Sequence, residues 1–162
     1  MAEIPEFWRT EVYHPLSVHF PIVLLLLAFI FKLFALKFKR ELWETGGTLM
    51  LLLGVAGIWI AIYTGNLADG VVSRKLCDPT ILKDHENMAY LSAYIFSGSL
   101  LVDLAAYFKT YFFRKMIVQI VLVLGLAAGT GVLMYVGHLG ATLVYQQAAG
   151  VNIPSGNCAE FE

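Results

Sequence analysis

Four apolar runs of similar length follow one another along this chain, joined by short polar connections: Pro15–Leu36, Gly46–Thr64, Glu86–Phe108 and Met116–Tyr135. Each is long enough to cross the ~30 Å hydrocarbon core of a bilayer once as a helix. Lipid offers no partner to backbone N–H and C=O groups, so such runs must satisfy their own hydrogen bonds as helices. Composition agrees. Of 162 residues, 59% are hydrophobic and 14% charged, against roughly 45–50% and 25% for a soluble domain; the mean hydropathy is +0.71. The expected fold is an all-α integral membrane protein, a single up-down bundle of four transmembrane helices over residues 1–162. The fourth helix is expected to continue beyond the bilayer toward Tyr145. There is no room for a separate soluble domain, and nothing in charge or motif points to nucleic acid.

Basic residues set the expected orientation. Lys37, Lys39 and Arg40 lie between the first two runs, and Lys109, Arg114 and Lys115 between the last two. The positive-inside rule assigns both connections to the cytoplasm and both termini to the outer, periplasmic side of a bacterial inner membrane. The first thirteen residues lack a basic n-region and a small-residue cleavage site, so the first run reads as a retained span. The outer segments carry Glu3, Glu6, Glu11, Asp69, Asp78, Asp84, Glu86, Glu160 and Glu162 against Arg9, Arg74, Lys75 and Lys83. Such a surface favours a basic outer partner. Cys77 and Cys158 both fall on the oxidising side, where a disulfide between them would fasten the C-terminal tail over the connection between the second and third runs.

The ligand chemistry of the chain is its four histidines, and all four fall on that outer side. His14 and His19 open the first run, His85 opens the third and His138 closes the fourth. His85 stands about as far above Tyr107 as His138 above Met116, and His19 is roughly one turn deeper than His14. Imidazoles at a common depth in a helical bundle suit haem b, whose bis-histidine ligation needs two facing helices and an apolar slot. His14 and His19 are five residues apart, a rotation of about 140° on a helix, so they do not readily serve one iron. Diagonal placement of the first and third helices favours His19 with His85 as one pair and His14 with His138 as another, for one or two haems. Alternatively, His19 ligates while His14 caps the helix start beside Pro15. A copper or zinc site in which Asp69, Asp84 or Glu86 joins His85 is the chemical competitor. The remaining reading takes each histidine as an interfacial side chain with no metal at all.

Other features are structural at this level. The small-residue series Gly125-Leu-Ala-Ala-Gly129, with Gly131 and Gly137 beyond, permits close helix packing or leaves space for a flat ligand. Gly47, Gly54 and Gly57 form a similar series in the second run. Lys32 and Asp103 either pair or snorkel to the interface. Tyr13, Trp59, Tyr63, Tyr90 and Tyr135 could line a haem or quinone pocket, or belong to the interfacial aromatic belt. No internal repeat or nucleotide-binding motif is evident.

The run His14-Pro15-Leu-Ser-Val-His19-Phe20-Pro21, the segment Thr64-Gly65-Asn-Leu-Ala-Asp69, His85, and Gly137-His138-Leu-Gly140-Ala-Thr-Leu143-Val144-Tyr145 together resemble the bacterial membrane family called Domain of Unknown Function 2231. The resemblance covers nearly the whole chain. It implies a four-span inner-membrane module similar to units found beside or fused to c-type cytochrome domains. Members of that family commonly follow Leu-Val-Tyr with a further histidine, where this chain reads Tyr145-Gln-Gln147-Ala-Ala-Gly150.

No histidine lies in the cytoplasmic half of any run, so the chain offers no ladder of ligands across the bilayer. The leading expectation is a cytochrome b-like electron-transfer subunit of a respiratory complex. It would relay electrons along the outer face between quinone or a membrane partner and an outer c-type cytochrome. It reads as a redox subunit rather than a complete enzyme. The alternatives are a cofactor-free structural or assembly subunit and a small copper- or zinc-handling membrane protein.

Overall fold

A computed structural model describes residues 7–38, 41–108 and 115–153. They form four long helices: α1 (Tyr13–Phe38), α2 (Glu41–Val72), α3 (Pro79–Phe108) and α4 (Lys115–Gln147). Single 3-10 turns, Thr10–Val12 and Ser73–Lys75, precede α1 and follow α2. All four helices are long and apolar enough to cross a membrane, and no strand occurs among the described residues. Each is longer than the run that predicts it. At 32 residues, α2 would span about 48 Å, well beyond a ~30 Å hydrocarbon core. The excess lies mainly at the end of the bundle that carries both chain ends, where α2, α3 and α4 build a rim. Apolar runs mark only the lipid-facing part of a helix; the backbone ladder continues past it while no breaker intervenes.

The strongest packing is between α1 and α2 and between α3 and α4. Lesser α2–α3 and α1–α4 contacts close these two antiparallel hairpins into a ring, which leaves α1 and α3 on a diagonal. The inner face of α1 is the stripe Pro21, Leu25, Ala28, Lys32 and Ala35, spaced three and four residues apart. Phe20, Leu124 and Met134 are exposed, as a lipid-facing surface requires, so inner and outer faces are both apolar. Leu25, Leu51, Phe96 and Leu126 are fully buried at the centre.

Glycines allow the close approach within each hairpin. A Cβ on Gly54 would lie 2.7 Å from Leu25 Cδ2, and one on Gly129 would lie 3.0 Å from Phe96 Cζ. A Cβ on Gly125 would lie 2.8 Å from Ser99 Oγ. The Gly125–Gly129 series therefore serves helix packing rather than a flat ligand. Gly57 packs on Pro21, where a Cβ would lie 3.1 Å from the proline Cβ; that proline, interior to α1, leaves one carbonyl of the helix without its usual N–H donor.

Lys32 and Asp103 do pair. The Lys32 ammonium donates to Asp103 Oδ1 at 2.7 Å, to Thr48 Oγ1 at 2.7 Å and to the Glu44 carbonyl at 3.1 Å. Thr48 in turn donates to Asp103 Oδ2 at 2.8 Å. Both charged side chains are buried, so neither snorkels. The cluster ties α1, α2 and α3 together at the end of the bundle opposite the chain ends. Gly47 makes room for it, since a Cβ there would come within 3.0 Å of Lys32 Cε.

Candidate functional site

Toward the chain ends the packed core gives way to a cavity of about 410 Å³. Side chains at the facing positions are short: Ala61, Gly65, Ala68, Ala89, Gly137 and Gly140 all line it. Protein interiors rarely leave voids larger than a water molecule, and this volume lies within the range of small-molecule and cofactor sites. Pro21, Ile22, Ile58 and Ile62 make an apolar floor, while Glu11, Asp69 and Glu86 lie around the wall.

His14 and His85 enter this cavity from α1 and α3, across the diagonal. Their ring centroids are 6.0 Å apart and their planes are nearly perpendicular, at 86°. Each ring is held in the same way. His14 Nδ1 lies 2.9 Å from the carbonyl oxygen of Ala61 on α2, and His85 Nδ1 lies 3.0 Å from that of Val136 on α4. A carbonyl only accepts, so Nδ1 carries a proton in both rings, and in the neutral imidazole Nε2 keeps its lone pair. Four residues beyond each carbonyl comes a glycine that seats the ring. A Cβ on Gly65 would stand 3.1 Å from His14 Nδ1, and one on Gly140 would stand 3.3 Å from His85 Cε1. The two hairpins thus repeat one device, an imidazole from the first helix seated on a carbonyl and glycine of the second. Sequence comparison of the halves misses it, because a main-chain acceptor leaves no residue signature.

The other two histidines do not join them. His19 and His138 are exposed on the outer faces of their helices, and His138 stacks on Tyr135 at 6.3 Å. The expected pairs, His19 with His85 and His14 with His138, give way to His14 with His85. The diagonal placement of helices was anticipated correctly; the residue on α1 was not. With His14 turned inward, the 140° rotation carries His19 outward. Nor does His14 cap α1, since its ring reaches across to α2.

Smaller parts of the site are also fixed by the fold. Ser17 and Thr64 share a hydrogen bond of 2.8 Å just beyond His14, and Thr64 also donates to the Ala61 carbonyl at 3.0 Å. Asn66 donates to the Tyr90 hydroxyl at 3.0 Å, and both line the cavity. Of the aromatic candidates, Tyr90 alone does so; Tyr13, Trp59, Tyr63 and Tyr135 are exposed. Glu11 pairs with Arg9 at 3.0 Å, and Lys83 pairs with Glu86.

Among the described residues, no group of three or more His, Cys, Asp or Glu side chains is placed to hold a metal ion. Asp69, Asp84 and Glu86 therefore do not complete a bare-metal site with His85. Cys77 is exposed in the connection between α2 and α3, and Cys158 lies outside the described residues, as do Lys39, Arg40, Lys109 and Arg114. Asp78, outside the spans, accepts hydrogen bonds from the Thr80 N–H and hydroxyl at 2.9 and 2.6 Å. Those bonds hold its carboxyl below the usual aspartate range.

No curated protein and no solved structure matches this chain. The family described as "Predicted membrane protein (DUF2231)" matches residues 11–152, which include all four helices, both seated histidines and the whole wall of the cavity. The chain belongs to that family.

Proposed function

We propose that this protein is a cytochrome b-like electron-transfer subunit of a bacterial inner membrane, with one haem b in the cavity between His14 and His85. The observation that carries this reading is the pair of imidazoles that share one cavity, each with its Nδ1–H committed to a backbone carbonyl. Metal-bound histidines almost always donate their second ring nitrogen in this way, which fixes the tautomer and raises ligand basicity. Two protein ligands fall short for bare zinc, which takes three or four. They suffice for an iron whose other positions are filled by a porphyrin.

Haem would supply one-electron redox chemistry. The chain's own contribution is to present two neutral imidazoles, exclude water with the floor of Pro21, Ile22, Ile58 and Ile62, and hold both rings against rotation. The basic connections support a cytoplasmic location for the Lys32–Asp103 end and a periplasmic one for the histidine end. A relay along the outer face, between quinone or a membrane partner and a c-type cytochrome, suits that placement. His19 and His138 face away from the cavity, so a second haem has no internal pair of ligands in one copy of the chain.

The test is a visible spectrum of the detergent-purified protein expressed with ample haem. Sharp absorption bands of a reduced low-spin haem at about one haem per chain support the proposal. A colourless protein overturns it in favour of a cofactor-free structural subunit.

A further inference from the structure

Two buried hydrogen-bond donors meet without acceptors beside the main cavity. They are Arg9 Nε and Gln147 Nε2, and both residues line a second cavity of about 40 Å³. The orientation of Gln147 is fixed, because its Oε1 accepts from the backbone N–H of Asp78 at 3.0 Å, which turns its amino group away from Asp78. The other two nitrogens of Arg9 are engaged, Nη1 by Glu11 at 3.0 Å and Nη2 by the Gly150 carbonyl at 3.5 Å. Lys75 also lines the space. With Arg9, Lys75 and Glu11 as its charged groups, the pocket has one more positive charge than negative.

This small cavity adjoins the large one. Glu11, Val72, Ala149, Gly150 and Val151 line both. Among the described residues, the large cavity itself presents Glu11, Asp69 and Glu86 and no lysine or arginine. An acidic arm on a ligand bound there would be repelled along that wall, and the small cavity offers it both a positive balance and unused donors.

We infer that Arg9 and Gln147, with Lys75 beside them, form a carboxylate seat for an acidic side arm of the ligand in the main cavity. On the haem reading, on which this inference rests, that arm is a propionate. Arg9 and Gln147 would then orient the ring system while His14 and His85 would hold the iron.

The experiment titrates the full chain, purified without haem in a carboxylate-free buffer, with iron mesoporphyrin and with its dimethyl ester, following the Soret band. The parent should prefer the diacid by about tenfold or more, the worth of a charge-assisted pair of hydrogen bonds. Arg9→Gln and Gln147→Leu should each lose most of that preference, and comparing variants cancels the different partition of the two porphyrins into detergent. The two substitutions act from different elements, so damage to the Arg9–Glu11 pair cannot explain a loss seen in both. Equal binding of the two porphyrins by the parent, or an undiminished preference in both variants, overturns the carboxylate seat while leaving the haem site standing. Binding of neither porphyrin overturns the haem reading and this inference with it.

Discussion

His14 and His85 come together across the diagonal of the bundle, their ring planes nearly perpendicular and their centroids 6.0 Å apart, although they belong to helices that otherwise have little contact. Each is oriented by the helix that follows its own, His14 by α2 and His85 by α4. The pair therefore exists only when both hairpins are assembled. Its geometry reports on the tertiary fold rather than on either hairpin.

Single replacements should divide the histidines in two. His14→Ala and His85→Ala are each expected to lower haem content or convert a low-spin spectrum to high-spin. His19→Ala and His138→Ala should keep the parent spectrum. If His19→Ala abolishes the low-spin bands while His14→Ala does not, the assignment of the inner pair is reversed.

Gly65 and Gly140 are expected to matter through the rings they seat. Gly65→Ala places a methyl 3.1 Å from His14 Nδ1, closer than ordinary van der Waals contact, and Gly140→Ala places one 3.3 Å from His85 Cε1. Each should shift the absorption bands or the redox midpoint, with Gly65→Ala the larger effect. Gly131→Ala, with nothing within 4 Å, should change neither. Indistinguishable spectra for all three would remove the seating role.

Breaking the Lys32–Asp103 pair from one side should be costly. Asp103→Ala leaves a buried ammonium without its counter-ion, a loss of about 3–5 kcal/mol, readable as a lowered thermal midpoint in detergent. The double replacement Lys32→Met with Asp103→Leu should recover most of that loss, because it removes both charges from an apolar interior. A double variant as unstable as Asp103→Ala alone would show that the pair does more than lock three helices.

The start of α3 should loosen in acid. Hydrogen bonds from Thr80 hold the Asp78 carboxyl below its usual range, so the cap is complete above the ordinary aspartate range. It is lost as pH falls through the lowered value of the folded state. First-turn amides of α3, followed by hydrogen exchange corrected for intrinsic pH dependence, should lose protection there. Asp78→Asn keeps an acceptor that does not titrate and should abolish that pH dependence.

The proposed outward placement of the histidine end predicts two further results. A reporter active only in the periplasm should work when fused after Glu162 and fail within residues 109–115. Alkylation without reduction should label neither Cys77 nor Cys158 if they are joined, as a shared oxidising side would imply. A reporter active only at the internal position would reverse the orientation; full labelling of both thiols would remove the clamp on the tail.

Helix number, order and the diagonal relation of α1 and α3 were legible in the sequence, because apolar length against bilayer thickness is a local property and short connections force antiparallel neighbours. The observed ends lie beyond the apolar runs, as at Pro79 for α3. Hydropathy registers lipid contact and is blind to a helix that continues into water. The alternatives left open for Lys32 and Asp103 required tertiary structure to resolve, since pairing and snorkelling use the same residues at the same depth.

By itself, the sequence determined that four apolar helices fold up and down with every histidine near one end. Length, hydropathy and segment order suffice for that. Tertiary structure alone decided which imidazoles face inward, because rotation of a helix about its axis depends on what its neighbours present. In α1 it is set where Gly65 leaves room for a ring and the Ala61 carbonyl offers an acceptor, and neither acts as a side-chain signal along the chain. Arg9 and Gln147 likewise come to line one cavity only when the segment before α1 and the end of α4 meet.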